Sequence, residues 1–176
     1  MSSLWGCGGG GGTADSAPAT ADEAPALALP NQRQPEPQLT TGGAPTEADL
    51  TAAAAAGYTL VVDLRTETEA GQPEERATVE GLGMRYESLP VAGADGVTPE
   101  AAARLDAILA AAEGPAIVHC ASGNRVGALM ALRAFAAGAS VEAALEAGRN
   151  AGLTGLEDAV RARLQELCAA DPDRGC

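Results

Sequence analysis

The 176-residue chain has no lysine; all eleven basic side chains are arginine. Schiff-base chemistry and lysine nucleophiles are therefore excluded. Aromatic residues make up only 2 %, so a core must be assembled from leucine, valine, isoleucine and alanine, which pack small and close. Positive charge is also scarce: the net charge of −13 repels nucleic acid and anionic surfaces, and no nucleic-acid partner is expected. The four cysteines, Cys7, Cys120, Cys168 and Cys176, are too few and too unevenly spaced for a disulfide scaffold or a CxxC metal site. With His119 as the single histidine, no metal and no organic cofactor is expected. No stretch approaches the ~20 apolar residues of a membrane span, and no basic start leads into an apolar run of the secretory kind.

A chain of this length fits one domain with tails. Residues 1–38 are rich in glycine, proline and small polar residues without apolar period, and read as a disordered tether. Within them, Leu4-Trp5-Gly6-Cys7 resembles the end of a bacterial lipoprotein signal, with Cys7 as the lipid-bearing residue. An exported, lipid-anchored protein touching a membrane only through that lipid is one expectation, and a cytoplasmic protein with an incidental cysteine is the other. Cys168 and Cys176, at the C-terminus, pair in the first case and stay thiols in the second.

The domain is expected over residues 39–168, with 169–176 as a tail. Pro45-Thr46 with Asp49 opens a short helix ended by Gly57. Thr59-Leu60-Val61-Val62-Asp63-Leu64 reads as a strand buried on both faces, and residues 84–89 and 116–119 as two further strands. Thr98-Pro99 starts a helix carrying Leu105, Ile108, Leu109 and Ala112 at helical spacing. Helices follow from residue 126 to about 137 and from Ser140, and Thr154 with Glu157 reads as a capping box before a last helix. Segments 66–80 and 90–98 read as loops whose acidic or glycine-rich character argues against polyphosphate ligands, and the acidic runs 67–75 and 142–157 as solvated faces without a site. Strands alternating with helices imply an α/β layer on a mainly parallel sheet.

One segment concentrates chemistry: His119-Cys120-Ala121-Ser122-Gly123-Asn124-Arg125 lies between a buried strand and a helix. Such a turn places its backbone amides at a helix N-terminus, where they bind anions. Gly123 permits the tight backbone, Ser122 and Asn124 are small and polar, and Arg125 can return a planar fork to an oxyanion. A cysteine there has surroundings of the kind that favour a thiolate. A lone buried cysteine is often just a small hydrophobe, but cysteine, glycine and arginine together in one turn favour nucleophilic chemistry over that reading.

That loop, with Val61-Val62-Asp63-Leu64-Arg65 and Gly152-Leu153-Thr154-Gly155-Leu156-Glu157, resembles the β-lactamase-hydrolase-like, phosphatase-like family of the cysteine-phosphatase superfamily. The resemblance covers about residues 39–168. It implies a protein-tyrosine-phosphatase-like fold with a four- or five-stranded, mainly parallel sheet flanked by helices. It also implies Cys120 as nucleophile, Ala121, Ser122, Gly123, Asn124 and Arg125 as the substrate cradle, and His119 as a supporting residue that orders the loop. His119 could equally be a structural hydrogen-bonder. By analogy with the superfamily's movable aspartate loop, Asp95 is the candidate general acid, against ordinary turn chemistry beside glycine. Asp63 could line the same cleft or make a structural hydrogen bond to the loop.

Two departures qualify the implied activity. The general superfamily pattern places arginine six positions after cysteine and follows it with serine or threonine; here Arg125 comes one position sooner and Val126 follows. A shorter loop moves the site toward rhodanese-like sulfurtransferases, in which Cys120 would carry a persulfide. Three readings therefore stand: a phosphatase working through a phosphocysteine, a sulfurtransferase, and a non-catalytic oxyanion-binding module. The expected partner is a small phosphorylated or sulfur-bearing substrate. The oligomeric state is not legible.

Overall fold

A computed structural model describes residues 27–171. Five strands and six helices run in the order β1 (Arg33–Glu36), β2 (Leu39–Gly42), α1 (Glu47–Ala55), β3 (Leu60–Asp63), α2 (Gln72–Gly81), β4 (Arg85–Ser88), α3 (Pro99–Ala110), β5 (Ala116–His119), α4 (Asn124–Ala136), α5 (Val141–Asn150) and α6 (Glu157–Ala170). They form one sheet of order β1-β2-β5-β3-β4. Only the β1–β2 pair is antiparallel. The expected α/β fold with a mainly parallel sheet is the one observed.

The strand pleat sorts the core into two layers. Leu60 and Val62 of β3 and Val118 of β5 face a large cluster built with α3, α4, α5 and α6. Val61 and Ile117, one residue out of phase, face a smaller cluster with α1 and α2. A strand covered on both sides has no polar face, which is why Leu60–Asp63 and Ala116–His119 are buried throughout.

Local signals account for most helix starts. Thr46 closes a capping box with Asp49, Thr98 caps α3 ahead of Pro99, and Ser140 caps α5. Three expectations need correction. Order reaches back past residue 39, because β1 adds an edge strand and Leu27 and Leu29 are buried against the smaller cluster. The segment 66–80 is not all loop: α2 begins at Gln72 with Pro73 in its first turn, and its largely polar sequence conceals a buried Val79 and Glu75. No capping box opens α6, because the Glu157 carboxylate turns instead to Arg149 and Arg161.

Cys168, on α6, is disulfide-bonded. Cys7 and Cys176 lie outside the described residues, and with them the expected lipid attachment and the 168–176 pairing. Among the described residues no helix is long and apolar enough to cross a membrane.

Glycine decides how closely α4 and α5 approach. A Cβ on Gly127 would lie 2.0 Å from Leu153 N and 2.7 Å from Gly148 O, and one on Gly148 would lie 2.8 Å from Gly127 O. Backbone has no rotamer with which to retreat. Gly127→Ala is therefore expected to destabilise the fold by about 3 kcal/mol or more, read as a lowered urea midpoint. A midpoint unchanged within error would show that the α4–α5 contact is looser than described.

Candidate active site

β5 is flanked by β2 and β3, all three parallel, so Cys120 leaves the sheet at the carboxyl ends of its central strands. Ligands of open α/β sheets gather there. Both neighbouring strand ends hold the emerging loop. Cys120 N–H donates to Gly42 O at 3.3 Å, Gly43 and Ser122 form a β-bridge, and Leu64 N–H donates to His119 O at 2.9 Å. Gly123 adopts φ +88° as the residue before α4, a left-handed conformation that a side chain would resist. Its N–H donates to Cys120 Sγ at 3.1 Å, supplying the kind of donor a thiolate needs. Asn124 Oδ1 accepts from Thr154 N–H at 2.9 Å and Leu156 N–H at 3.3 Å, pinning the loop to the α5–α6 connection. Cys120 is a free thiol, 1 % exposed.

Arg125 is gripped along one edge. Its Nη1 donates to Val91 O at 3.0 Å, Leu64 O at 3.3 Å and Glu69 Oε1 at 2.7 Å, while Nη2 donates to Glu69 Oε2 at 2.6 Å. The carboxylate thus takes the Nη1/Nη2 end of the fork, leaving Nε and the second Nη2 hydrogen. The Glu69 hydrogen bonds raise the Arg125 pKa against the cost of burial, with attraction to Cys120 adding to them. In return the guanidinium, assisted by Thr66 N–H and opposed by burial, lowers the Glu69 carboxyl to about 2.

Behind the loop lies a buried polar cluster. Asp63, Arg65, Glu75 and His119 are each at most 7 % exposed. Arg65 Nη2 donates to Asp63 Oδ2 at 2.8 Å and to Glu75 Oε2 at 2.7 Å, and Arg65 Nη1 reaches Ala70 O at 3.1 Å. His119 Nε2 lies 2.7 Å from Glu75 Oε1, and Nδ1 lies 3.9 Å from Asp63 Oδ1. Tyr86 completes the set with a 2.8 Å hydrogen bond to Asp63 Oδ2. Burial acts to raise the Asp63 pKa, but Arg65, His119 and Tyr86 together bring it below the ordinary carboxylate value. Ligand atoms of Asp63, Glu75 and His119 come within 4.8 Å of one another, and the positive charge such a donor set requires is supplied by Arg65.

Losing that charge strands two buried carboxylates. Arg65→Met is expected to cost about 3–5 kcal/mol of stability, measured by chemical denaturation. A loss under about 1 kcal/mol would mean the cluster is solvated and not buried.

The structure brings Cys120 and residues 121–125 together, but it places the other candidates differently. Asp63 bonds Arg65 and Tyr86 and does not reach the loop, and the His119 side chain faces the carboxylates of this same cluster. An open cleft of about 420 Å³ lies over the loop, lined by Thr66, Glu69, Ala92, Gly93 and Leu156 together with Ser122, Asn124 and Arg125. Asp95 does not line it; Asp95 borders a neighbouring cavity of about 210 Å³ with Arg163 and Glu166. The acidic run 67–75 is no mere solvated face, since Glu69 holds Arg125 and Glu75 is buried beside His119.

A cysteine and an arginine closing an amide-lined turn at the carboxyl end of a mainly parallel sheet define a phosphatase-like α/β domain. Residues 33–139 match the family described as β-lactamase hydrolase-like protein, phosphatase-like domain, and the chain belongs to that family. It is 28 % identical over 137 residues to the β-lactamase hydrolase-like protein of Agrobacterium fabrum, covering 76 % of this chain and 29 % of that protein. The chain thus spans less than a third of that relative's length. Among solved structures it is similar to a candidate phosphatase from Neisseria meningitidis, with 22 % identity, TM-score 0.65, and coverage of 76 % of this chain and 96 % of the other. It is also similar to P. aeruginosa TpbA, with 26 % identity, TM-score 0.61, and coverage of 88 % and 95 %. TpbA has also been solved, as a variant, in complex with pTyr.

Proposed function

We propose that this domain hydrolyses a phosphate monoester through a phosphocysteine intermediate on Cys120. The observation that carries the reading is convergence: the Cys120 sulfur, the Gly123 N–H and the Arg125 fork meet in one turn at the end of the central strand. In the first step Sγ attacks phosphorus, the S–P bond forms and the ester P–O bond breaks, the departing oxygen taking a proton from water. Loop amides and the free edge of Arg125 stabilise the charge on the equatorial oxygens. Water then attacks phosphorus, the S–P bond breaks, and inorganic phosphate leaves with the thiolate restored. TpbA in complex with pTyr supports a phosphomonoester as the substrate type.

Incubation with p-nitrophenyl phosphate tests the reading, with phosphate release that depends on Cys120 as the expected result. Thiocyanate formed from thiosulfate and cyanide would instead mark sulfur transfer. Anion binding with neither activity would mark a binding module.

The departing oxygen's proton is a separate question. The cleft's own carboxylate, Glu69, is engaged by Arg125, and Asp95 lies in the adjoining cavity. Asp95→Asn is therefore expected to change kcat on p-nitrophenyl phosphate or a phosphotyrosine peptide by less than about threefold. A loss on the order of 10²-fold would assign Asp95 as general acid after all.

A further inference from the structure

We infer that the substrate carries a single phosphoryl group on a neutral or cationic carrier, and that Glu69 at the cleft mouth excludes polyanions. The inference rests on the hydrolase reading above and concerns the surroundings of the same loop. Of the residues lining the cleft, only Glu69 and Arg125 are charged. They are paired through two hydrogen bonds of 2.7 and 2.6 Å, so the positive charge available to a second phosphate is already offset. Arg125 is only 13 % exposed, whereas Glu69 is 30 % exposed, so the carboxylate is the more accessible member of the pair.

Among the described residues no other cation lines the cleft. Arg65 is buried and divided between Asp63 and Glu75. Arg163 borders the adjoining cavity, where Glu166 lies 3.6 Å away and Asp95 shares the wall. With no lysine in the chain and a net charge of −13, the long-range field adds to this local deficit. One phosphoryl group is served by the loop amides and Arg125. Every further phosphate or carboxylate on the same carrier finds no unpaired cation in the cleft lining and has the more exposed Glu69 carboxylate as its charged neighbour.

Phosphotyrosine peptides of equal length give the test, because the leaving group stays constant while the flanks run from two arginines, through neutral residues, to four glutamates. From the arginine to the glutamate flank, kcat/KM is expected to fall on the order of 10²-fold. The spread should shrink in high salt, as screening of exposed charges requires. Ala92→Arg, adding a cation at the cleft wall, should narrow the ratio between the two extreme peptides. A flat series, or one rising toward the glutamate peptide, overturns the inference while leaving Cys120-dependent hydrolysis intact. Release of phosphate from no peptide and none from p-nitrophenyl phosphate overturns the hydrolase reading, and the inference with it.

Discussion

Cys120→Ser is expected to lower phosphate release by on the order of 10⁴-fold or more while the fold persists. Serine is nearly isosteric with cysteine, and its Oγ keeps an acceptor in front of the Gly123 N–H that now points at sulfur. What is lost is nucleophilicity: a serine hydroxyl without an adjacent base is a poor attacking group. No imidazole can take that proton, since His119 is the only histidine and its ring is directed at Glu75 and Asp63 behind the loop. Single-turnover phosphate release, paired with a thermal melt, separates chemistry from folding. Residual turnover within tenfold of the parent would remove Cys120 from the nucleophile's role, whatever the melt showed.

Arg125→Lys is expected to reduce kcat/KM by roughly 10²–10³-fold, although the charge is conserved. Lysine delivers a point charge, whereas the observed arrangement uses a planar fork. One end is held by Glu69, Leu64 O and Val91 O, which fixes the plane of the fork and leaves Nε and the second Nη2 hydrogen outside those bonds. If charge alone mattered, the variant would lose less than tenfold, and inhibition by inorganic phosphate would be unchanged. The grip should also outlast mild acid. Glu69 is depressed from 4.5 to about 2, so the stability it contributes is fully present above about pH 4.5 and is lost as pH falls toward 2. An acid limb in the activity profile above pH 5 would therefore belong to another group.

The substitution after Arg125 has a packing cause. Val126 is fully buried within the large core cluster, and the residues that follow it to Leu132 are buried as well. The first turn of α4 has been given to the core, so a hydroxyl at this position would be surrounded by apolar groups. The close Gly127–Gly148 approach belongs to the same arrangement, drawing α5 and the 152–154 turn against α4. Asn124 then bonds that turn directly. The loop is thus braced from behind by helix packing as well as from the sides by β2 and β3.

How much of this was legible beforehand varied with the range of the interaction concerned. Caps at Thr46, Thr98 and Ser140 are local events, each settled within four residues, and they could be read directly. The helix α2 could not, because its sequence is largely polar and its buried positions come down to Val79 and Glu75. Thr154 and Glu157 carried the right local signal and still did not form a capping box. Arg149 and Arg161, from two different helices, offered the carboxylate stronger charge-assisted bonds than a backbone amide.

The turn at Cys120 was determined by sequence alone. A buried strand, a glycine able to take φ +88° and a helix starting at the next residue put the cysteine and the arginine in one short turn at a helix N-terminus. What tertiary structure decided was the company those residues keep. Glu69 is 56 positions from Arg125, Glu75 is 44 from His119, and no periodicity or spacing links residues that far apart. Both carboxylates sit in an acidic run that resembles a solvated surface. They became part of the site because β3 lies beside β5 in the sheet, so that the segment leaving β3 passes over the loop leaving β5. An arginine largely removed from water must then find a carboxylate, and the fold supplied one.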